Sequence, residues 1–262
     1  MGAAGLDGVE AVLLDLDGVL YVDGEPLPGA AAAVADLRER VAALRFVTNT
    51  TARSRGQTLA KLERLGFAVE PGELVTPAGL ARRHCEEAGH HRVALIMNDA
   101  VKADFEGLEE AERGVDAVIM GDLGEQFGFA ILNRAFRLVM DGAELIALQK
   151  NRFWLTGDGL SLDAGPFVAA VEYATGKEAH VVGKPSPGFF AAVLADLGRG
   201  PDAVVMVGDD IESDIGGALD AGLRAVLVRT GKYREEFVGL SGIWPTATID
   251  SIAGLPRLLE PS

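Results

Sequence analysis

Short apolar runs alternate along the chain with longer stretches whose apolar residues recur at helical spacing. The apolar runs predict buried β-strands at Ala11–Leu14, Leu44–Val47, Val93–Met97, Val115–Met120, Leu145–Leu148, Ala179–Val182, Ala203–Val207 and Ala225–Val228. The stretches between them predict helices at Ala30–Ala43, Ser54–Leu65, Pro77–Glu87, Phe129–Met140, Gly165–Tyr173, Pro187–Leu197 and Ser213–Ala221. Because such alternation is typical of parallel sheets with helices on both faces, we predict an α/β protein built on a doubly wound parallel sheet.

Two seams divide this pattern. One lies near Val75–Leu80 ("VTPAGL") and the other near Val181–Phe189 ("VVGKPSPGF"). The segment between the seams contains strands and helices of its own, which favours a second domain inserted into the first. We therefore predict a core domain over residues 1–77 and 180–262 and an inserted α/β domain over residues 78–179.

Two aspartates end the first predicted strand. In the stretch "VLLDLDGVLY", Asp15 and Asp17 follow a run of apolar residues and precede Gly18. Aspartate is a poor strand former and is rarely buried without a partner. Residues two apart on an extended strand point the same way, and a glycine lets the backbone approach a ligand closely. The pattern indicates a ligand site at the carboxyl end of this strand.

A second strand ends in the same way. The stretch "AVVMVGDD" carries Asp209 and Asp210 after an apolar run, and Asp214 follows at the start of a predicted helix. Two unit charges about 4 Å apart repel each other by about 4 kcal/mol at a protein-like dielectric constant, so converging carboxylates need a cation. Oxygen ligands select Mg²⁺ or a similar hard ion. One such motif could simply cap a turn or a helix, but two on matching strand ends favour a metal site.

Two further stretches add groups that suit a phosphorylated ligand. "FVTNTT" ends a third strand in Thr48 and Asn49, whose hydroxyl and turn amide can hold phosphoryl oxygens, although an ordinary turn would look the same. "GKPSPGF" carries Lys184 directly before a proline, where its charge can offset nearby carboxylates. Taken alone, this lysine would be interpreted as a solvated side chain.

Charge and cysteine content narrow the range of partners and locations. The chain has 24 Lys and Arg residues against 39 Asp and Glu residues, a formal net charge of −15. Because the basic residues are scattered, we expect neither nucleic acid nor a membrane surface as a partner. Cys85 is the only cysteine, no apolar run is long enough to span a membrane, and the first residues do not resemble a signal peptide. These features predict a cytoplasmic protein.

The motifs "DLDGVL", "TNTT", "GKPSP" and "GDDIESD", in this order, resemble the four motifs of the haloacid dehalogenase-like (HAD) hydrolase superfamily. The long stretch between the second and third motifs resembles the NagD-like subgroup, in which an α/β cap is inserted there. "EYATG" and "RTGKY" are similar to the phospholysine phosphohistidine inorganic pyrophosphate phosphatases and related hydrolase-domain proteins. The resemblance covers nearly the whole chain and implies a Rossmann-like core, an inserted cap and a Mg²⁺-dependent phosphatase.

The resemblance also implies a role for each acidic residue. Asp15 would be the nucleophile that forms an aspartyl-phosphate intermediate. Asp17 would be the general acid for the leaving oxygen and then the general base for the attacking water. Asp15, Asp209 and the backbone carbonyl of Asp17 would hold Mg²⁺, with Asp214 orienting the waters of the metal; whether Asp210 or Asp214 contacts the metal directly is left open.

The remaining motif residues would bind the phosphorylated substrate. The Thr48 hydroxyl and the backbone N–H of Asn49 would hold phosphoryl oxygens. Lys184 would neutralise charge on Asp15 and on the phosphate, and Gly18 would let the backbone approach the substrate.

Rival functions differ in what they require of Asp17. Dehalogenases need no acid at that position, because a halide leaves without a proton, so Asp17 favours a phosphatase. Some close relatives have serine there, which leaves the transfer of their phosphoramidate and pyrophosphate substrates to this chain open. A signalling receiver domain, or another non-catalytic phosphate-binding protein, would hold phosphate without releasing it. Receiver domains are also about half this length and lack a neighbour like Asp17.

Substrate choice is expected to depend on the inserted domain. The stretch Asn151–Asp163 lies, by resemblance, near the substrate-specificity loop of such caps, and we hypothesise that Asp158 overhangs the leaving group; a plain hairpin turn is the alternative. Pairing through the cap into a homodimer is a further expectation. The substrate is expected to be a small phosphorylated molecule. The four histidines, His84, His90, His91 and His180, have no metal-ligand spacing along the sequence.

Overall fold

The structure, a computed structural model, describes residues 6–156 and 159–260. Its strands are β1 (Ala11–Asp15), β2 (Tyr21–Val22), β3 (Glu25–Pro26), β4 (Ala43–Val47), β5 (Leu74–Val75), β6 (Arg92–Ile96), β7 (Glu109–Glu110), β8 (Ala117–Met120), β9 (Glu144–Ala147), β10 (Phe153–Thr156), β11 (Gly159–Leu162), β12 (His180–Val181), β13 (Val204–Gly208), β14 (Arg224–Val228) and β15 (Ala247–Ile249). Its α-helices are α1 (Ala30–Arg40), α2 (Arg55–Arg64), α3 (Pro77–Ala88), α4 (Asp99–Lys102), α5 (Phe129–Met140), α6 (Ala164–Thr175), α7 (Pro187–Leu197), α8 (Gly217–Asp220), α9 (Glu235–Ser241) and α10 (Leu255–Leu258).

The predicted fold class is confirmed. Both large sheets are parallel, and each predicted strand overlaps an observed one. The prediction missed short strands such as β5 and β15, because two or three residues carry no measurable periodicity. It also placed one helix at Ser213–Ala221, whereas the chain forms a π-helical turn at Ile211–Gly216 before α8.

The chain divides into two compact units. One holds the described residues of 1–48, 59–75 and 184–262, and the other holds residues 49–58 and the described part of 76–183. The predicted boundaries of the core and of the inserted domain remain a proposal.

The first unit contains a six-stranded sheet in the order β15-β14-β13-β1-β4-β5. All five residues of β1 are buried, because the strand lies in the middle of the sheet and both of its faces are covered. On one face, Val12 and Leu14 pack with Val205 and Val207 of the neighbouring strand and with Leu37 of α1. Continuous burial of this kind is typical of a parallel sheet, and it leaves the carboxyl ends of the strands as the polar edge.

The second unit contains a five-stranded parallel sheet in the order β12-β9-β8-β6-β7. Its alternate residues enter two separate cores, one with Ile119 against α3 and the other with Val118 against α5 and α6. Cys85 is fully buried in the first of these cores, which agrees with a packing role. Helix α3 begins where the Thr76 hydroxyl accepts the N–H of Gly79, and it ends at Gly89 in the left-handed region.

The predicted specificity loop forms a hairpin as far as it is described. Strands β10 and β11 pair antiparallel, from Phe153 opposite Leu162 to Thr156 opposite Gly159. Asp158 lies outside the described residues. Among the residues that the structure describes, no helix combines the length and the apolar character that crossing a membrane would require.

Candidate active site

Asp15 is the last residue of β1 and is only 7% exposed. The parallel pairing of β1 with β4 sets Asp15 opposite Val47, so Thr48 follows at the neighbouring strand end. Thr48 is buried, and its backbone N–H donates to the carbonyl oxygen of Val75 at 3.3 Å. Two of the predicted site residues therefore lie at adjacent strand ends of one sheet edge.

Asp209 follows directly after β13, the strand on the other side of β1, and is also buried. The turn after β1 comes so close to it that a Cβ atom on Gly18 would overlap Oδ2 of Asp209. Gly18 also has a φ of +84°, which a residue with a side chain adopts only with strain. Both features require glycine at position 18; the predicted close approach of its backbone to a ligand stays a prediction.

A π-helical turn, Ile211–Gly216, returns the chain to the same strand end. Asp210 caps this turn through Oδ1, which accepts the backbone N–H of Ser213 at 3.0 Å. The N–H of Ile215 donates to the carbonyl of Asp210, five residues back, at 3.2 Å, which widens the turn. The wider turn aims Asp214 inward, where its Oδ2 accepts the N–H of Asp210 at 3.2 Å.

Lys184 connects two of these carboxylates. Its Nζ atom donates to Oδ1 of Asp15 at 2.5 Å and to Oδ1 of Asp214 at 2.7 Å. The lysine is 2% exposed, so its ammonium group is held by these partners rather than by bulk water. A lysine that looks solvated in the sequence is thus a buried part of the cluster.

The carboxylates of Asp15, Asp209 and Asp214 form a compact oxygen cluster. One oxygen from each lies within 4.8 Å of the others. Three carboxylates beside one lysine leave two uncompensated negative charges when all are ionised. A hard divalent cation fits both that charge and the all-oxygen donor set, so the residues present suit Mg²⁺.

The pKa shifts of the cluster agree with this excess of negative charge. Burial raises the pKa of Asp15 well above its usual range, opposed by Lys184 and reinforced by Asp214 and Asp209. Burial, followed by the charge of Asp214, raises the pKa of Asp209 to about 7. Although burial works against it, Asp15 and Asp214 raise the pKa of Lys184 above its usual value, so the lysine stays charged. The site therefore holds more negative charge than one lysine balances.

Three residues of the "RTGKY" stretch also reach this edge, although sequence reasoning gave them no role. The backbone N–H of Lys232 donates to Oδ2 of Asp209 at 2.7 Å, and its Nζ lies 3.1 Å from Oδ2 of Asp210. A Cβ atom on Gly231 would overlap Oδ2 of Asp209. The Thr230 hydroxyl donates to the carbonyl of Gly18. Their position in the sequence could have indicated this, because these residues follow β14, which is the neighbour of β13.

Asp17 stands apart from the buried cluster. Its side chain is 61% exposed, and its Oδ2 accepts the Tyr21 hydroxyl at 2.9 Å. Its Oδ1 lies 3.9 Å from Nζ of Lys61, which also lies 3.6 Å from the centre of the Tyr21 ring. The Asp17 carboxylate is thus held by Tyr21 but open to solvent. Its predicted contribution to the metal site, through the backbone carbonyl, stays a prediction.

Asn49 belongs to the second unit. A Cβ atom on Gly183 of that unit would lie 2.9 Å from Oδ1 of Asn49, so glycine leaves room for this amide. The predicted binding of a phosphoryl oxygen by the backbone N–H of Asn49 stays a prediction. The structure therefore brings together Asp15, Asp209, Asp214 and Lys184, with Gly18 and Thr48 at the same edge.

Comparisons with known proteins agree with this geometry. The family model of the haloacid dehalogenase-like hydrolases matches residues 12–109, and a HAD-hydrolase-like family model matches residues 181–255. Haloacid dehalogenase-like hydrolase domain-containing protein 2 of Bos taurus is 44% identical over 226 residues, covering 86% of each chain. The chain belongs to the haloacid dehalogenase-like hydrolase family. The predicted resemblance is confirmed.

Further relatives narrow the position of this HAD hydrolase within the family. The phospholysine phosphohistidine inorganic pyrophosphate phosphatase of Homo sapiens is 40% identical over 260 residues, covering 97% of this chain and 95% of that protein. The crystal structure of 4-nitrophenylphosphatase from Thermotoga maritima superposes with a TM-score of 0.89 at 27% identity, covering 97% of this chain and 99% of the other. NagD from E. coli K-12 superposes with a TM-score of 0.82 at 23% identity, and the match covers 94% of this chain and 97% of NagD. NagD therefore shares the fold. The chain has the fold of the NagD-like subgroup.

Proposed function

We propose that this HAD hydrolase is a Mg²⁺-dependent phosphatase that cleaves a small phosphorylated substrate through an aspartyl-phosphate at Asp15. The phosphatase class follows from the family and from its phosphatase-named relatives. The metal and the covalent intermediate are the proposal. The observation that carries them is the buried cluster in which Lys184 bridges Asp15 and Asp214.

The metal would be held by Asp15, Asp209 and the backbone carbonyl of Asp17, with Asp214 orienting its waters. Bound Mg²⁺ would supply positive charge to the phosphoryl oxygens. The family in which these motifs occur supports this choice of ion, as does the oxygen-only donor set of the carboxylates. The raised pKa values of Asp15 and Asp209 add support, because a cation would favour both ionised forms.

The first half of the reaction would form the intermediate. An ionised carboxylate oxygen of Asp15 attacks phosphorus in line, the bond from phosphorus to the leaving oxygen breaks, and Asp17 donates a proton to that oxygen. Lys184 would keep Asp15 ionised and balance the charge that collects on the phosphoryl oxygens. Its 2.5 Å contact with Asp15 supports this role.

The second half would regenerate the enzyme. Asp17, now ionised, takes a proton from a water whose oxygen attacks phosphorus, so that inorganic phosphate leaves and the Asp15 carboxylate returns. The exposure of Asp17 supports this role, because a bound ligand could reach it, and the hydrogen bond from Tyr21 fixes its orientation. The Thr48 hydroxyl, the backbone N–H of Asn49 and the open turn at Gly18 would position the phosphoryl oxygens.

A second candidate substrate class is favoured by one comparison. The relative named for phospholysine, phosphohistidine and pyrophosphate shares 40% identity across 97% of this chain. Cleavage of a phosphoramidate P–N bond or of a pyrophosphate P–O–P bond would use the same residues, with Asp17 protonating nitrogen or a phosphate oxygen. A receiver-like or other non-catalytic phosphate-binding protein is the alternative from a different class, and the presence of Asp17 argues against it.

The cytoplasmic location and a homodimer remain proposals. The strongly acidic charge supports the expectation that neither nucleic acid nor membrane is a partner. In the second unit, Phe129 and Tyr173 are 84% and 94% exposed, which would suit a contact between two copies. Size-exclusion chromatography with light scattering would decide whether the protein is dimeric.

Turnover of p-nitrophenyl phosphate tests the proposal. We expect hydrolysis that requires Mg²⁺, stops with a chelator and returns when Mg²⁺ is added back. Asp15→Asn should remove it, whereas Asp23→Asn, at an exposed position of the β2–β3 hairpin, should not. Equal turnover with and without Mg²⁺, or an active Asp15→Asn variant, would contradict the proposed mechanism. A phosphoramidate, pyrophosphate and phosphoester panel would then select the substrate class.

A further inference from the structure

Three of the four histidines gather around one carboxylate in the second unit. Nε2 of His84 lies 3.0 Å and 3.1 Å from the two carboxylate oxygens of Glu144, and Nε2 of His90 lies 2.6 Å from Oε2. The ring of His180 stacks on that of His84, with centroids 4.0 Å apart and planes inclined by 15°. The remaining histidine, His91, is exposed.

The sequence hides this cluster because its members come from separate elements. His84 lies in the last turns of α3, and His90 follows its cap residue, Gly89. Glu144 begins β9, and His180 begins β12, which pairs with β9. The amino ends of two neighbouring strands therefore meet the carboxyl end of a helix. The helix dipole at that end favours a positive charge.

The donor set is suited to a borderline divalent metal ion. His84, Glu144 and His180 each offer one donor atom, and these atoms all lie within 4.8 Å of one another. Two imidazole nitrogens with one carboxylate oxygen is a ligand combination that binds zinc, while Mg²⁺ and Ca²⁺ prefer oxygen alone. His90 provides a further nitrogen. This separates the cluster chemically from the all-oxygen site of Asp15, Asp209 and Asp214.

Binding an ion would require the side chains of the cluster to move. Donor atoms around zinc lie roughly 3.4 Å apart, given bonds of about 2.0–2.2 Å, so the three donors would draw together. The stacked rings of His84 and His180 would also tilt, because each imidazole nitrogen binds a metal in the plane of its ring. The side chains of His84, His90 and Glu144 are 25%, 19% and 33% exposed, so solvent reaches the cluster.

A hydrogen-bonded network without metal explains the positions of His84 and His90 but not that of His180. His84 and His90 already bond to Glu144, so that carboxylate needs no third imidazole. His180 stacks on His84, and among the described residues it has no hydrogen bond to Glu144.

We propose that His84, Glu144 and His180, with His90 as an additional donor, form a binding site for a zinc-like divalent transition-metal ion. The ion would take the place of the hydrogen bonds between the imidazole nitrogens and Glu144. The site depends on none of the residues assigned to phosphate hydrolysis.

Co²⁺ titration of the full-length, untagged protein in excess Mg²⁺ tests the site. We expect one equivalent to bind, with the visible absorption of nitrogen-ligated Co²⁺, and Zn²⁺ to displace it. A His84→Ala/His180→Ala double variant and the nearly isosteric Glu144→Gln should each weaken binding by at least ~100-fold, since loss of groups that merely orient a ligand already costs 10–100-fold. His91→Ala is the matched control and should bind as the wild type does.

Two further measurements keep the result unambiguous. Asp209→Asn should still bind the equivalent of Co²⁺ that depends on the histidines, which would show that this ion is not bound at the carboxylate site. The readout does not involve hydrolysis of p-nitrophenyl phosphate. Circular dichroism would confirm that each variant is folded; if the double variant is not, Glu144→Gln decides. Wild-type protein without this absorption, or a folded Glu144→Gln variant with unchanged Co²⁺ affinity, would overturn the proposal and leave a purely structural network.

Discussion

The Nζ atom of Lys184 lies 2.5 Å from Oδ1 of Asp15, and both residues are buried. The two are separated by 169 positions in the sequence. Removing Lys184 would leave the buried carboxylates of Asp15 and Asp214 without the cation that bridges them, which is costly in a site closed to water. The contact therefore links the fold of the first unit to the charge state of the proposed nucleophile.

Lys184→Met should abolish most activity. Without the ammonium group, Lys184 no longer opposes the rise in the pKa of Asp15 that burial and Asp214 cause, so the ionised form that attacks phosphorus is disfavoured. We expect kcat for p-nitrophenyl phosphate to fall by roughly 10²–10³. Steady-state kinetics check this, with Lys102→Met as the control, since Lys102 pairs only with the exposed Asp99 and Glu110 among the described residues. Near-normal kcat in a folded Lys184→Met protein would contradict the proposed role.

The loss of activity in Asp17→Asn should depend on the leaving group of the substrate. An amide gives no proton to the leaving oxygen, so an alkyl phosphate, whose alkoxide is a strong base, should lose roughly 10²–10⁴ in kcat/KM. The loss for p-nitrophenyl phosphate should be smaller, because its phenolate leaves more readily. Parallel kinetics on both substrates measure the difference, and Asp23→Asn controls for a changed charge nearby. An equal loss on both substrates would rule out general-acid catalysis by Asp17.

Gly18→Ala should weaken Mg²⁺ activation. Gly18 and Gly24 have nearly the same φ, +84° and +83°, so alanine at either position costs about 1–2 kcal/mol in backbone strain. Only at Gly18 would the new Cβ also overlap Asp209, whereas a Cβ atom on Gly24 would meet no atom of the described residues within 4 Å. The Mg²⁺ concentration for half-maximal activity should rise on the order of tenfold for Gly18→Ala alone. If Gly24→Ala raises this Mg²⁺ concentration equally, backbone strain rather than contact with Asp209 causes the effect.

The stabilisation by Mg²⁺ should grow with pH. Burial raises the pKa of Asp209 from 3.8 to about 7, so between these values the folded protein holds a proton that the unfolded chain has released. Stability without metal should then fall as pH rises through this window, because the folded state binds more protons. Mg²⁺ competes with that proton, so the rise in Tm on adding Mg²⁺ should increase towards pH 7 and above. Differential scanning fluorimetry measures the rise in Tm on adding Mg²⁺. A rise that is the same at every pH, or a pH dependence that is unchanged in Asp209→Asn, would contradict this account.

The edge of the sheet could be predicted from the sequence because parallel strands put their carboxyl ends together. Asp15 and Asp209 each follow an apolar run, and those runs are neighbouring strands, β1 and β13. The sequence pattern therefore indicated which residues meet without any knowledge of the turns between them. The roles assigned to these residues remain predictions.

Other features depend on backbone detail that no sequence pattern carries. The backbone N–H of Lys232 reaches Asp209 only because Gly231 permits a close approach. The π-helical turn that aims Asp214 inward looks like an ordinary helix in sequence. The histidine cluster needs the pairing of β9 with β12, which brings Glu144 and His180 together across 36 positions only after the sheet has formed.

Trapping the phosphoenzyme tests the central claim most directly. Borohydride reduces an acyl phosphate to an alcohol, so an aspartyl-phosphate at position 15 becomes homoserine, which peptide mass spectrometry detects. We predict homoserine at position 15 when the protein is quenched during turnover with substrate and Mg²⁺, and none without Mg²⁺ or in Asp15→Asn. Turnover without any modified aspartate, or with homoserine at Asp17 instead, would contradict the account.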